Sequence, residues 1–187
     1  MICKEMVKKF IDILESLDHI PISVSDFKKL VGTTEFVIFH QLNRYSSLEE
    51  LFTKHGSVIP MIILQTDKFG HFVILIKKSD KQAIFYDSYG MNLDELLKIQ
   101  TKTWKESRGV NFLKELEKNS NMTIDYNRFK HQEQTKGDFE AVCAYHSSMR
   151  SRFPKLSNDQ YNDLLKSIKI KPDYLCIMFH LSQILKS

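Results

Sequence analysis

The chain is poor in glycine, proline and cysteine, with six, four and three in 187 residues. So few glycines and prolines exclude a collagen-like or low-complexity chain. The cysteines, Cys3, Cys143 and Cys176, stand far apart. That spacing argues against a disulfide framework and points to a reducing compartment. None belongs to a CxxC pair, so no zinc site is expected. No apolar run approaches the ~18 residues of a membrane span. The opening MICKEMVKKFIDILESL is amphipathic and carries acids, unlike a secretory signal or a transit peptide. A strong excess of one charge is also missing. Twenty-seven Lys and Arg face 23 Asp and Glu, for a net charge of +4. This balance permits an acidic partner such as non-specifically bound DNA without demanding one.

What remains is an ordinary globular composition, 42% hydrophobic and 27% charged. The length suits one domain with a sizeable core, and no repeat or linker divides it. Residues 1–187 are therefore read as a single domain, with 1–24 as an N-terminal helical extension. Met6, Phe10, Ile13, Leu14 and Leu17 carry the helical spacing of that extension. A short helix is expected over DFKKLVG, capped by Ser25 or Asp26 and stopped by Gly32. FVIFHQL (36–42) reads as a strand, SLEELFTKHG as a helix capped by Ser46 or Ser47, and VIPMIILQT (58–66) as an apolar strand. A hairpin follows. Asn92 or Asp94 then opens a long helical stretch, broken near Gly109. MTIDYNRFKH reads as a strand and HQEQTKGDFEAV as a loop. CAYHSSMRSRF, YNDLLKSI and the segment after Pro172 read as helices. The order gives an α+β fold, a central mostly antiparallel sheet flanked by helices.

The hairpin is GHFVILIKKSDKQAIFYDSYG, from Gly70 to Gly90. His71 opens its first strand and Asp87 closes its second. Two strands of about seven residues and a short turn bring such ends side by side. A carboxylate beside a histidine fixes the tautomer and stabilises the imidazolium, as a general base requires. The plainer reading is an edge histidine and a turn aspartate, since Asp-Ser-Tyr-Gly is good turn chemistry. The pair needs a nucleophile to mean more.

Cys143, in GDFEAVCAYHSSM, stands where the loop reading gives way to helix. The positive end of a helix dipole favours thiolate, and backbone N–H groups there can hold an oxyanion. The plainer reading is a small buried apolar residue. Cys176 lies in the apolar run YLCIMFHL and reads as inert core. Cys143, His71 and Asp87 thus form a nucleophile, base and orienter set.

These motifs resemble those of the adenain-like cysteine proteases, in the clan whose members also cleave ubiquitin-like proteins. The similarity is strongest to the maturation proteases of virophages, polinton-type elements and large DNA viruses. The pattern there is GHW, a strand pair, F(D/E)PYG, a Tyr-Asn segment, a glutamine, and Cys-Gly opening a helix. This chain has GHFVIL, FYDSYG, YNRFKHQEQ and VCAYH, and the resemblance covers roughly residues 25 to 180. Phe72 stands for the tryptophan, Ser88 for the proline and Ala144 for the glycine.

The resemblance implies a papain-like architecture of the adenain type and a thiol endopeptidase. Cys143 attacks, His71 moves the proton, Asp87 orients His71, and the Cys143 backbone N–H and a glutamine side chain stabilise the oxyanion, with no metal or organic cofactor required. That glutamine is Gln132, favoured by its distance from Tyr126 and Asn127, or Gln134, favoured by loop length to Cys143. The implied substrates are viral capsid or core precursors, cut during virion maturation, often after small residues such as glycine. The implied location is the host cytoplasm or virus factory, and the virion, with a monomer as the working form. The alternatives are a deconjugating protease acting on ubiquitin-like tails, or a catalytically weak relative that binds extended peptides. The lysines of KKSDK (77–81), with Lys98, Lys102, Lys105 and Arg108, are the candidate surface for DNA.

Overall fold

The computed structural model describes residues 22–33, 35–132 and 139–184. The expected N-terminal helix and Cys3 lie outside them. The element order is α1 (Val24–Val31), β1 (Val37–Ile38), a 3₁₀ turn (Phe39–Arg44), α2 (Leu48–His55), β2 (Val58–Leu64), β3 (Gly70–Lys77) and β4 (Gln82–Tyr86). It continues with α3 (Leu93–Ile99), α4 (Thr101–Glu106), α5 (Phe112–Lys118), β5 (Thr123–Tyr126), α6 (Phe139–Ser151), α7 (Asn158–Ile168) and α8 (Pro172–Ile184).

The helices begin where side chains can accept the orphan N–H groups of a first turn. Ser23 caps α1, ahead of the expected Ser25 or Asp26, and Ser47 caps α2. Ser157 and Gln160 form a reciprocal capping box on α7, and Pro172 occupies the first turn of α8. Gly32 ends α1 at φ 78°. The long stretch after Asn92 breaks at Gln100 as well as around Gly109, giving three helices.

The sheet runs β1-β2-β3-β4-β5 in space. The pairings β2–β3 and β3–β4 are antiparallel, but β1–β2 and β4–β5 are parallel. The expected mostly antiparallel character therefore holds for the three central strands and not for the edges. Helical crossovers before β2 and before β5 return the chain in the same direction, which a hairpin cannot do. Pro60 fits inside β2 because β1 pairs only with Met61 and Ile62. FVIFHQL makes only a two-residue strand before turning 3₁₀.

Both sheet faces are covered, so β3 is buried almost throughout instead of alternating. Val73, Leu75, Ala83 and Phe85 pack with Leu48, Leu51, Leu96 and Leu113 on one side. Phe72, Ile74, Ile84 and Tyr86 pack with Phe27, Cys143, Met149 and Cys176 on the other. Strand alternation puts His71 with Val73 and Leu75, at the end of the sheet. Helix α6 packs on β3 from the opposite layer.

Candidate active site

The hairpin register explains why His71 and Asp87 meet. Ile74 pairs with Tyr86. Extending that register by one pair puts Asp87 opposite Val73, diagonal to His71 on the same side. The side chains complete the contact, with His71 Nε2 2.5 Å from Asp87 Oδ1. Both groups are buried. Asp87 is itself held: Oδ1 accepts the Tyr89 N–H and Oδ2 the Met91 N–H, each at 3.1 Å. Its carbonyl accepts Asn127 Nδ2 at 2.6 Å.

Glycine is required at both ends of the hairpin. A Cβ on Gly70 would lie 2.8 Å from the Ile63 carbonyl oxygen. Gly90 has φ 61°, and a Cβ there would stand 2.5 Å from the Phe129 carbonyl. The turn after Asp87 thus lies directly against the 129–130 backbone, which leads to Gln132.

Cys143 approaches from α6. Its sulfur accepts the Phe72 N–H at 3.3 Å and lies close enough to His71 to raise the imidazole. Asp87 occupies His71 Nε2, so Nδ1 is the ring nitrogen left for the sulfur. Ser147, one turn further along α6, donates to the Phe72 carbonyl at 3.2 Å. Phe72 therefore fastens the nucleophile helix to the histidine strand. Burial pushes the His71 imidazole down, but the Cys143 sulfur and then the Asp87 carboxylate more than reverse this. The group is pushed up to about 10, which favours the imidazolium. That is the partner a thiolate needs.

Helix α6 starts at Phe139, four residues ahead of Cys143. The Cys143 N–H is thus committed to the helical ladder and is not a free oxyanion donor, as a helix-opening cysteine would offer. Ala144 needs no glycine, since it lies inside the same helix and is absent from the positive-φ residues.

Gln132 is 2% exposed. Its Nε2 donates to Tyr89 Oη at 3.3 Å, and its Oε1 accepts the Ser88 hydroxyl at 2.6 Å. Tyr89 also stacks on His71, with ring centroids 4.8 Å apart and 21° between planes. Gln132 thus touches two residues of the turn that holds Asp87. Gln134 lies outside the described residues.

A second histidine–carboxylate pair stands deeper in the fold. His146 Nε2 is 2.6 Å from Asp173 Oδ1, and His146 Nδ1 is 3.2 Å from Cys176 Sγ. Tyr86 Oη lies 3.4 Å from His146 Nδ1 and 3.0 Å from His131 Nδ1. Burial pushes His146 down, while Cys176 and Asp173 raise it to about 10. His131, lowered chiefly by burial and then by His146, falls to about 4. Cys176 is buried, as the sequence suggests, but it is embedded in a polar network and not in a purely apolar core. The i, i+3 spacing of Asp173 and Cys176 on α8 is the trace this leaves in the sequence.

Among the described residues no cluster of His, Cys, Asp and Glu could hold a metal, and no helix is long and apolar enough to cross a membrane. Two of the candidate DNA-binding lysines are engaged in ion pairs, Lys77 with Asp80 and Lys102 with Asp67 and Glu106. No family model, curated protein or solved structure matches the chain.

Proposed function

We propose that this chain is a thiol endopeptidase with Cys143 as nucleophile. The observation that carries the reading is His71 held between the Asp87 carboxylate and the Cys143 sulfur. His71, paired with Asp87, takes up the proton that the Cys143 sulfur gives up. The thiolate attacks the scissile carbonyl carbon, and the carbonyl oxygen becomes the oxyanion. The Gln132 amide donates to that oxygen. His71 gives its proton to the leaving amine as the C–N bond breaks, leaving an acyl thioester. Neutral His71 then takes a proton from water, which attacks the thioester and restores the thiolate–imidazolium pair. Asp87 keeps the ring in place and favours its charged form throughout.

The substrate class follows from the motifs and is part of the proposal: viral capsid or core precursors, cut after small residues during maturation. Candidate precursors incubated with purified protein and mapped by mass spectrometry test it. Cleavage that requires Cys143 supports the reading, and intact precursors refute it. DNA as an activator is tested by adding duplex at low salt, where an electrostatic effect is largest.

One observation favours a second reading. Cys143 and Asp87 are fully buried, so a substrate must displace part of what covers the sulfur. A protein that binds extended peptide without turnover would share this arrangement. It would take up a peptide aldehyde slowly and release no products from a peptide substrate.

A further inference from the structure

A glutamine amide has two ends of nearly equal shape and opposite chemistry, since Oε1 accepts and Nε2 donates. Only the donor end can stabilise an oxyanion. An amide turned by half a revolution would present lone pairs to the negative charge. A glutamine with this task needs a neighbour that tells its ends apart.

We infer that Ser88 is that neighbour, a positioning residue whose hydroxyl fixes the Gln132 amide with its donor end turned away from Ser88 and toward Tyr89, which stacks on His71. The inference rests on reading Gln132 as the oxyanion donor. Ser88 Oγ lies 2.6 Å from Gln132 Oε1, and both residues are buried. A serine hydroxyl can donate or accept, so what matters is where its proton goes. Gln132 Oε1 is the one acceptor the structure records for it among the described residues. With the amide reversed, Nε2 would face Oγ, and a buried hydroxyl proton would lose its acceptor.

The backbone reinforces the side chain. The Ser88 carbonyl accepts the N–H of Gln132 at 3.0 Å and that of His131 at 2.9 Å. Gln132 is therefore tied to one residue by both its main chain and its amide. Three consecutive residues then divide the support of the site. Asp87 orients His71, Ser88 orients Gln132, and Tyr89 touches both, stacking on His71 and accepting from Gln132. Ser88 stands where the resembled pattern has proline, which carries no hydroxyl, so the device belongs to this chain.

The test compares two probes on the full-length protein. A tripeptide glycinal adds Cys143 to its aldehyde carbon, and the resulting oxygen needs the donor. Iodoacetamide alkylates the sulfur by displacing iodide and creates no oxyanion. Ser88→Ala is expected to weaken the glycinal by roughly tenfold. That lies between the twofold of an amide free to face either way and the 10²–10³ expected for loss of the donor. The iodoacetamide rate at Cys143 should be unchanged. The pair Ser88→Thr and Ser88→Val, equal in shape, should divide, with the threonine within threefold of wild type and the valine resembling alanine. This pair decides the matter if Ser88→Ala does not fold. In a Gln132→Ala background, Ser88→Ala should have no further effect on the glycinal. Equal loss with and without Gln132, equal slowing of iodoacetamide, or no loss at all would overturn the role of Ser88. A wild-type protein that neither takes the glycinal nor alkylates selectively at Cys143 would instead sink the endopeptidase reading, and this inference with it.

Discussion

Asp87→Asn is the perturbation whose consequences the structure specifies most fully. The carboxylate accepts three hydrogen bonds, from His71, Tyr89 and Met91. An asparagine keeping its oxygen toward His71 and Tyr89 turns its NH₂ against the Met91 N–H. The reverse orientation turns NH₂ against both His71 and Tyr89, and would force the His71 proton onto Nδ1, where it could not act as base. The first orientation has one mismatched donor and prevails. A buried donor left unmatched costs roughly 1–3 kcal/mol of stability. The larger loss is electrostatic. A unit charge about 4 Å from the imidazolium contributes on the order of 4 kcal/mol at an effective dielectric near 20, and part of this is recovered by the amide oxygen. We therefore expect kcat/KM on a cleaved peptide to fall roughly 10²–10³-fold, less than for His71→Ala, which leaves no base. The same charge acts on stability. His71 is raised from 6.5 to about 10. The stability it contributes is fully present below pH 6.5 and is lost as pH rises toward 10. Cys143 is the larger cause of that rise and Asp87 the next, so thermal melts of wild type and Asp87→Asn should draw closer across that window. Full activity in Asp87→Asn, or a loss exceeding that of His71→Ala, would refute the assignment of Asp87 as orienter.

Three further outcomes follow from the same contacts. Iodoacetamide should modify Cys143 before Cys176, which is enclosed by α6 and α8, and mild peroxide should stop turnover until dithiothreitol restores it; equal rates at both cysteines in folded protein would contradict this. The two histidines around Tyr86 should titrate against stability with opposite signs. His146, raised to about 10, contributes stability that is lost from pH 6.5 upward, and His131, held near 4, contributes stability that is lost as pH falls from 6.5 toward 4. Denaturant melts of His146→Gln and His131→Gln should each lose the corresponding slope and keep the other. Gly90→Ala should lower the melting temperature by roughly 2–12 °C, from the positive φ and the Phe129 backbone contact, and an unchanged melt would show that the turn can move.

The parts of the site legible in the sequence are those written locally. GHFVILIKK and KQAIFYDSYG carry apolar runs, a polar turn and two obligatory glycines, so the hairpin and its terminal His71 and Asp87 can be read directly. Ser47, Asn92 and Ser157 cap helices as their side chains suggest. Parallel pairing at the sheet edges was not legible, because it depends on crossovers that no short motif encodes. FVIFHQL is equally apolar as strand or 3₁₀ turn, and periodicity does not separate them over so few residues. The polar look of HQEQTKGDFEAV hid the early start of α6 at Phe139, which places Cys143 one turn inside the helix. The network of Cys176, His146 and Asp173 joins two helices that are distant in sequence, and YLCIMFHL gives no sign of it. Ser88 looked like a turn residue, and only its 2.6 Å contact with Gln132 reveals a role.

The most direct measurement of the central claim is an N-terminal mass-spectrometric survey of a proteome-derived peptide library treated with wild-type or Cys143→Ala protein, both verified as folded. Wild type is expected to generate new N-termini that share small residues, glycine among them, on the acyl side of the cut, and Cys143→Ala none of them. No new termini with wild type, or the same termini with Cys143→Ala, would contradict a thiol endopeptidase acting through Cys143.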